Sequence, residues 1–422
     1  MAAAGQRCQR YVRVNEVALY DWSPLLQLLL VGALIASVPL AWVWHRNRKR
    51  GPWGLMHALT VTTLILTFDL VMFGAFTRLT DSGLGCPDWP GCYGSASPIG
   101  AHAQISAAEQ AMPDGPVTQK KAWIEIIHRY FAKAIGALIV VMTGMGWWLW
   151  RRWRRRPPEQ SAQQPPPHPV WPTLTLLWVL LQGAFGAWTV TMKLMPAIVT
   201  LHLLGGVVLL MLLAVQAVWW RRATQGVSAV RVDGLLRAAL WLSLAVVMVQ
   251  IALGGWVSTN YAVLACTTFP DCNGQWWPQM QFDQAFTVWR ELGHQADGQL
   301  LTLPALVAIH YVHRLFALVV LAVAGWAVVR LWRAGEPLRQ LARWLAGLLL
   351  LQAFTGVSNV VFDWPIVAAV LHTAGAAALA VVLTLALAMT RRLPASALSA
   401  LLGQSNVVQQ VHRASTGRGR AA

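Results

Sequence analysis

Apolar runs of about 20 residues, the length that crosses a hydrocarbon core as a helix, recur through the chain between polar gaps of two alternating kinds. One kind is rich in arginine; the other carries cysteines or is a tight turn. The first run, LLQLLLVGALIASVPLAWVW at 25–44, ends directly in HRNRKR at 45–50. The pattern predicts eight further spans at about 57–77, 123–150, 171–191, 197–219, 237–257, 305–329, 344–362 and 366–389. Basic residues close every second one: RRWRRR at 151–156, Arg221 with Arg222, the group Arg330, Arg333, Arg339 and Arg343, and Arg391 with Arg392. These ends are cytoplasmic by the bias of basic loops toward the inside. A Pro/Gln-rich linker at 159–169 lies on the same side. The polar tail at 1–23 holds Arg7, Arg10, Arg13 and a lone Cys8 and lacks the features of a cleaved signal. Nine spans place that tail outside the cytoplasm, where its arginines fit poorly.

The gaps repeat as well as alternate. VMFGAFTRLTDSGLGCPDWPGCYG at 71–94 and VQIALGGWVSTNYAVLACTTFPDCNG at 249–274 each carry two cysteines six positions apart, Cys86 with Cys92 and Cys266 with Cys272. A His-Arg pair follows each loop, at His128-Arg129 and His313-Arg314. Further on, Gln182 and Gln352 each precede a histidine by 20 positions, His202 and His372. Two half-chains therefore hold the same parts in the same order. With an even number of spans per repeat, the halves enter the membrane with one polarity and are related by an axis along its normal. The predicted fold is an all-α polytopic membrane protein of two tandem four-helix bundles related by a pseudo-two-fold axis, plus one extra N-terminal transmembrane helix. The divisions are 1–54 (tail and extra helix), 55–222 (N-terminal bundle), 223–392 (C-terminal bundle) and 393–422 (polar tail).

Composition agrees: 422 residues, 56% hydrophobic and 12% charged, describe a membrane chain rather than a soluble one. The net charge of +17 could suggest nucleic acid, but its cations sit in short clusters between apolar runs, as topology signals do. Tryptophan gathers at segment ends, as in interfacial belts.

An imidazole inside an apolar span is costly unless it pairs, faces a cavity or binds metal. His128, His202, His313 and His372 all lie near the extracytoplasmic ends of their spans. Two histidines at matched depth on different helices suit a bis-imidazole haem in a bundle core. Packing is the plainer role for a lone histidine, but packing gives no reason for duplicated pairs. Zinc or copper would draw in the cysteines, which lie outside the membrane. His45, His57, His102, His168, His294 and His412 fall at helix ends or in polar segments and read as solvated structure. Cysteines close in sequence in an oxidising setting are expected to form disulfides within each loop. Whether those bonds staple the loops or relay electrons stays open.

The cysteine loop, the EIIHR block at 125–129 and the Gln-to-His blocks resemble the haem A synthase family of respiratory-oxidase assembly over about residues 55–390, with TRLTDSGLGCPDWPGC the most specific stretch. The resemblance implies oxidation of a haem O ring methyl to a formyl group, giving haem A, toward the periplasmic side of a bacterial inner membrane. It further implies that His313 and His372 ligate a retained haem b and that His128 and His202 hold the substrate. Glu125, three residues before His128 on one helix face, would be catalytic, stabilising a developing cation or taking a proton from water. Alone it reads equally as a helix-start glutamate; its counterpart in the second half is His310. Arg78, Arg129 and Arg314 are candidate propionate contacts or interface anchors. Implied partners are haem O, haem O synthase, oxidase assembly factors and an unidentified electron acceptor, with a homo-oligomer left open and nucleic acid excluded. Eight spans are usual in the family, so the leading helix is an addition. A quinone-linked cytochrome b would stack haems across both leaflets, and a haem transporter or chaperone would not need a carboxylate beside one ligand.

Overall fold

The computed structural model describes residues 23–156, 165–295 and 297–392. The tails, the unpaired state expected of Cys8 and most of the Pro/Gln linker lie outside the described residues. The described chain is helical almost throughout, and its long elements are α1 (Ser23–Asn47), α2 (Gly51–Leu79), α4 (Gln119–Arg154), α5 (Val170–Thr191) and α6 (Pro196–Gln225) in the first half. The second half holds α7 (Gly234–Thr259), α9 (Leu303–Arg333), α10 (Leu338–Val361) and α11 (Ile366–Met389). Two short loop helices, α3 (His102–Ala111) and α8 (Phe282–Ala285), follow the cysteine loops.

Eight helical runs are long and apolar enough to cross a membrane. The first, Ser23–Leu79, comprises 57 residues. At the helical rise it would reach about 85 Å, far beyond a bilayer. It does not continue straight: a tight turn at Arg48–Arg50 and a left-handed Gly51 (φ 70°) fold α2 back so that α1 and α2 pack on one another and both on α4. The chain therefore has nine membrane-length helices among the described residues. Leu28 of α1 packs with Cys86, Cys92 and Ile126, so α1 begins at the cysteine-loop end.

Helix starts follow their capping residues. The side chains of Thr118, Asp233 and Thr302 accept from the backbone N–H groups of Lys121, Leu236 and Ala305, opening α4, α7 and α9. Several helices run beyond the predicted spans, because the arginine clusters that end the apolar pattern are good helix formers. Threonines inside α2 return their hydroxyls to the backbone one turn back, Thr60 to Met56 O at 2.8 Å and Thr63 to Leu59 O at 2.9 Å, which satisfies them in an apolar setting.

In the first half α2 packs on α4, α4 on α5, α5 on α6 and α6 on α2, closing a ring of neighbours; α7, α9, α10 and α11 do the same in the second. The rings meet through α6 with α11, α2 with α11 and α6 with α7. Exchanging the halves maps this set of contacts onto itself. At the end opposite the cysteine loops, β1 (Val230–Val232), between the halves, pairs in parallel with β2 (Thr390–Arg392) after α11.

Candidate functional site

All four repeat histidines sit between 6 and 10 residues from the loop ends of α4, α6, α9 and α11, roughly 9 to 15 Å deep at the helical rise. Each faces a glycine on the neighbouring helix. A Cβ at Gly74 would stand 3.1 Å from Nε2 of His128, and one at Gly254 would stand 3.0 Å from the His313 ring. Gly186 and Gly356 lie against His202 and His372 in the same way, at 3.5 and 3.3 Å. Four glycines at equivalent positions keep the space around the imidazoles clear, an arrangement that packing histidines do not require.

In the second half the rings of His313 and His372 stand 6.4 Å apart with planes at 78°. An iron between two imidazole nitrogens at about 2 Å from each sets the ring centres roughly 6 Å apart. Nδ1 of His372 lies 2.9 Å from the Thr355 hydroxyl, and Gln352 and Gln250 donate to the backbone oxygens of His372 and His313 at 3.0 and 3.1 Å. Engaging Nδ1 leaves Nε2 of His372 as the nitrogen available to a ligand. Nδ1 of His313 is buried without a protein partner. In the first half His128 and His202 are near enough to interact electrostatically, Phe73 stacks on His128 with centroids 6.2 Å apart, and Nδ1 of His202 is buried without a partner. No cluster of three or more His, Cys, Asp or Glu side chains able to hold a metal ion occurs among the described residues. Paired histidines with cleared surroundings suit a metal that brings its own equatorial ligands, as a porphyrin does, so the residues fit the haem sites expected of them.

The cysteine loops cover this end of the helices. Cys86 is bonded to Cys92 and Cys266 to Cys272. Both loops turn through two consecutive left-handed residues, Tyr93-Gly94 and Asn273-Gly274. Gly85 is required where the first loop crosses α4, since a Cβ there would stand 2.4 Å from the Lys121 carbonyl carbon.

The three candidate propionate contacts also have protein partners. Arg129 is buried and donates to the carbonyls of Asp88, Pro90 and Gly91 at 2.9, 3.3 and 2.5 Å. Arg314 donates to the matching carbonyls of Thr268 and Asp271 and to Cys266 O, at 2.8 to 2.9 Å. Each thus clamps its cysteine loop onto the helix that carries the histidine. Arg78 contacts Asp81 at 3.0 Å, donates to Ser258 O of the other half at 2.5 Å and stacks over Tyr261 at 4.1 Å. The repeated Arg after each His was legible in the chain, but its loop partners were not, because backbone carbonyls carry no sequence signature.

Glu125 is buried with 4% exposure, ion-paired to Arg129, and accepts from Cys86 N at 2.7 Å. His310 takes its place in the second half, its Nε2 accepting from Arg314 Nε at 3.2 Å. Sequence reasoning noted His310 without giving it a role; here it completes the second clamp. Thr355 was missed, its only sign being its place three residues after Gln352 where the first half has Phe185.

Residues 57–384 match the family of cytochrome oxidase assembly proteins, COX15-CtaA. The chain is 39% identical over 318 residues to the haem A synthase of Shewanella oneidensis, covering 75% of this chain and 91% of that protein. It is 30% identical over 333 residues to the haem A synthase of Chelativorans sp., covering 74% and 84%. With the haem A synthase of Bradyrhizobium sp. strain ORS 278 the identity is 28% over 342 residues, covering 77% and 87%.

Proposed function

The chain belongs to the haem A synthase family of cytochrome oxidase assembly proteins, and from that premise we propose that its two halves divide one reaction between a substrate site and a resident haem. It is a membrane-embedded oxidoreductase that converts haem O to haem A. His128 and His202 hold the substrate haem O; His313 and His372 hold a resident haem b. The observation that carries this division is the Thr355 hydroxyl 2.9 Å from Nδ1 of His372, set against Phe185 at the matching position of the first half and an unpartnered Nδ1 on His202, although Nδ1 of His313 is unpartnered as well. A fixed ring suits a group that stays, and a less constrained one suits a substrate that enters and leaves.

Converting the methyl to a formyl group with an oxygen taken from water releases four electrons and four protons, and the electrons pass to an external acceptor. A haem held by His313 and His372 would supply reversible one-electron storage. Glu125 lies one turn before His128 and is held by two donors, Arg129 and Cys86 N. A carboxylate has about four acceptor positions, so both oxygens retain a free lone pair toward their surroundings. Fixed in that way it acts as a positioned negative group that stabilises a developing cation or receives a proton from the attacking water. The clamped cysteine loops shield the site from bulk water, which strengthens such interactions.

The arginine-rich helix ends support a cytoplasmic location for the end opposite the loops and an outer, periplasmic one for the histidines, in the inner membrane of a bacterium. Membership of the cytochrome oxidase assembly family supports haem O synthase as supplier and oxidase assembly factors as receivers. Purified protein tests the reading directly. It should carry b-type haem and, given haem O and an oxidant, return bound haem with the mass of haem A. Haem that binds and leaves with unchanged mass would make the protein a carrier.

A further inference from the structure

A cavity of about 540 Å³ opens between α6, α7 and α11, where the two halves meet at the end opposite the cysteine loops. Its size falls in the range of small-molecule sites, roughly 300–1,000 Å³. Along α6 its lining runs from Val208 to Arg222, about 20 Å at the helical rise, which is the depth of one leaflet with its interface. The deep part is apolar, with Val208, Met211 and Leu244, and Trp219 lies nearer the mouth.

Four arginines gather at that mouth: Arg222, Arg237, Arg391 and Arg392. Among the described residues no carboxylate lines it. Arg222 donates to Ala388 O, and Arg237 to Thr390 O, both at 2.5 Å. These bonds tie the end of α11 to both halves, and β2 pairing with β1 then fixes residues 391 and 392 at the rim. Arg391 and Arg392 are exposed and have no acidic partner among the described residues. The nearby Asp233 is engaged by Arg330 at 2.8 Å. A second cavity of about 240 Å³ shares Trp219, Arg222 and Arg391 and extends the basic rim sideways.

We propose that this groove binds an anionic glycerophospholipid, with its phosphate among the four guanidiniums and an acyl chain along α6. An apolar wall of leaflet depth below four arginines, two of them exposed and without an acidic partner among the described residues, matches such a lipid. A zwitterionic lipid would bring its own ammonium against those cations. Residues 393–422 are a poor occupant, since they carry Arg413, Arg418 and Arg420 and no Asp or Glu. The bound lipid joins α6 of one half to α7 and α11 of the other, bracing the halves at the end away from the haem sites.

The test uses the full-length chain, delipidated in detergent, with phosphatidylglycerol, phosphatidylcholine or inorganic phosphate added and bound species counted by native mass spectrometry. Phosphatidylglycerol should bind at one copy per chain in preference to phosphatidylcholine. The double variant Arg391→Gln, Arg392→Gln should weaken its binding about 30-fold, equivalent to about 2 kcal/mol, with phosphatidylcholine unaffected and the haem absorption spectrum unchanged. Equal retention of the two lipids, or a double variant that binds like the parent, would overturn the proposal. So would phosphate binding as tightly as the lipid, or binding that appears only after residues 393–422 are removed.

Discussion

In the second half the Thr355 hydroxyl stands 2.9 Å from Nδ1 of His372, and Gln250 donates to the backbone of His313 at 3.1 Å. The matching positions of the first half hold Phe185 and Leu70, and Nδ1 of His202 has no protein partner. The glycine cradles, the disulfides and the arginine clamps are common to both halves. The duplication thus preserves the frame around the paired histidines, and the halves diverge in the groups that hydrogen-bond them. A second difference lies under the loops, where Glu125 brings a carboxyl group and His310 an imidazole.

Removing a ligand breaks the comparison most completely. His313→Ala or His372→Ala should abolish the retained low-spin haem spectrum of purified protein, whereas His128→Ala or His202→Ala should leave it and stop haem A formation. Retained haem in both C-terminal variants would remove these residues as ligands. Thr355→Val deletes the hydroxyl and keeps the shape. Losing an outer hydrogen bond to a metal-bound histidine typically lowers metal affinity about 10- to 100-fold, so the resident haem should dissociate that much more readily in competition with apomyoglobin. An unchanged off-rate would mean that the contact does not orient the ring.

The loops give the smallest effects. Opening Cys266–Cys272 by serine substitution should cost about 2 kcal/mol for so short a closed loop, read as a lowered thermal midpoint with haem A formation little changed. The same change at Cys86–Cys92 should match it in stability. A much larger loss of activity than of stability there would assign that bond to electron transfer. Mass mapping of unreduced peptides should find only pairs within each loop.

Much of this was legible in the chain. The apolar runs gave all nine membrane-length helices, since a bilayer imposes length and composition regardless of tertiary contacts. The four histidines stood out because an imidazole in such a run demands a reason. The extra helix was visible too, though not that Leu28 would pack beside Cys86 and Cys92. What escaped notice depends on long-range approach. Arg129 and Arg314 looked like anion contacts, and only the folded loops show their carbonyl partners. The pairing of β1 with β2 joins residues far apart in sequence with no alternation to announce it. Helices α3 and α8 lie in loops whose polar composition hides short elements.

The central claim is that the halves share ligation and differ in chemistry because one has Glu125 where the other has His310. Glu125→Gln and His310→Gln separate these directly, since glutamine can still accept from Cys86 N or from Arg314 and so keeps each clamp. Haem extracted from cells carrying each variant, resolved by chromatography, is the measurement. Glu125→Gln should lower haem A formation by about 10² to 10⁴, with haem O or a partly oxidised haem accumulating and the resident haem b spectrum intact. His310→Gln should make haem A at nearly the parent level. Normal haem A from Glu125→Gln would contradict the account and leave Glu125 as the first-half counterpart of His310, a clamp for its loop.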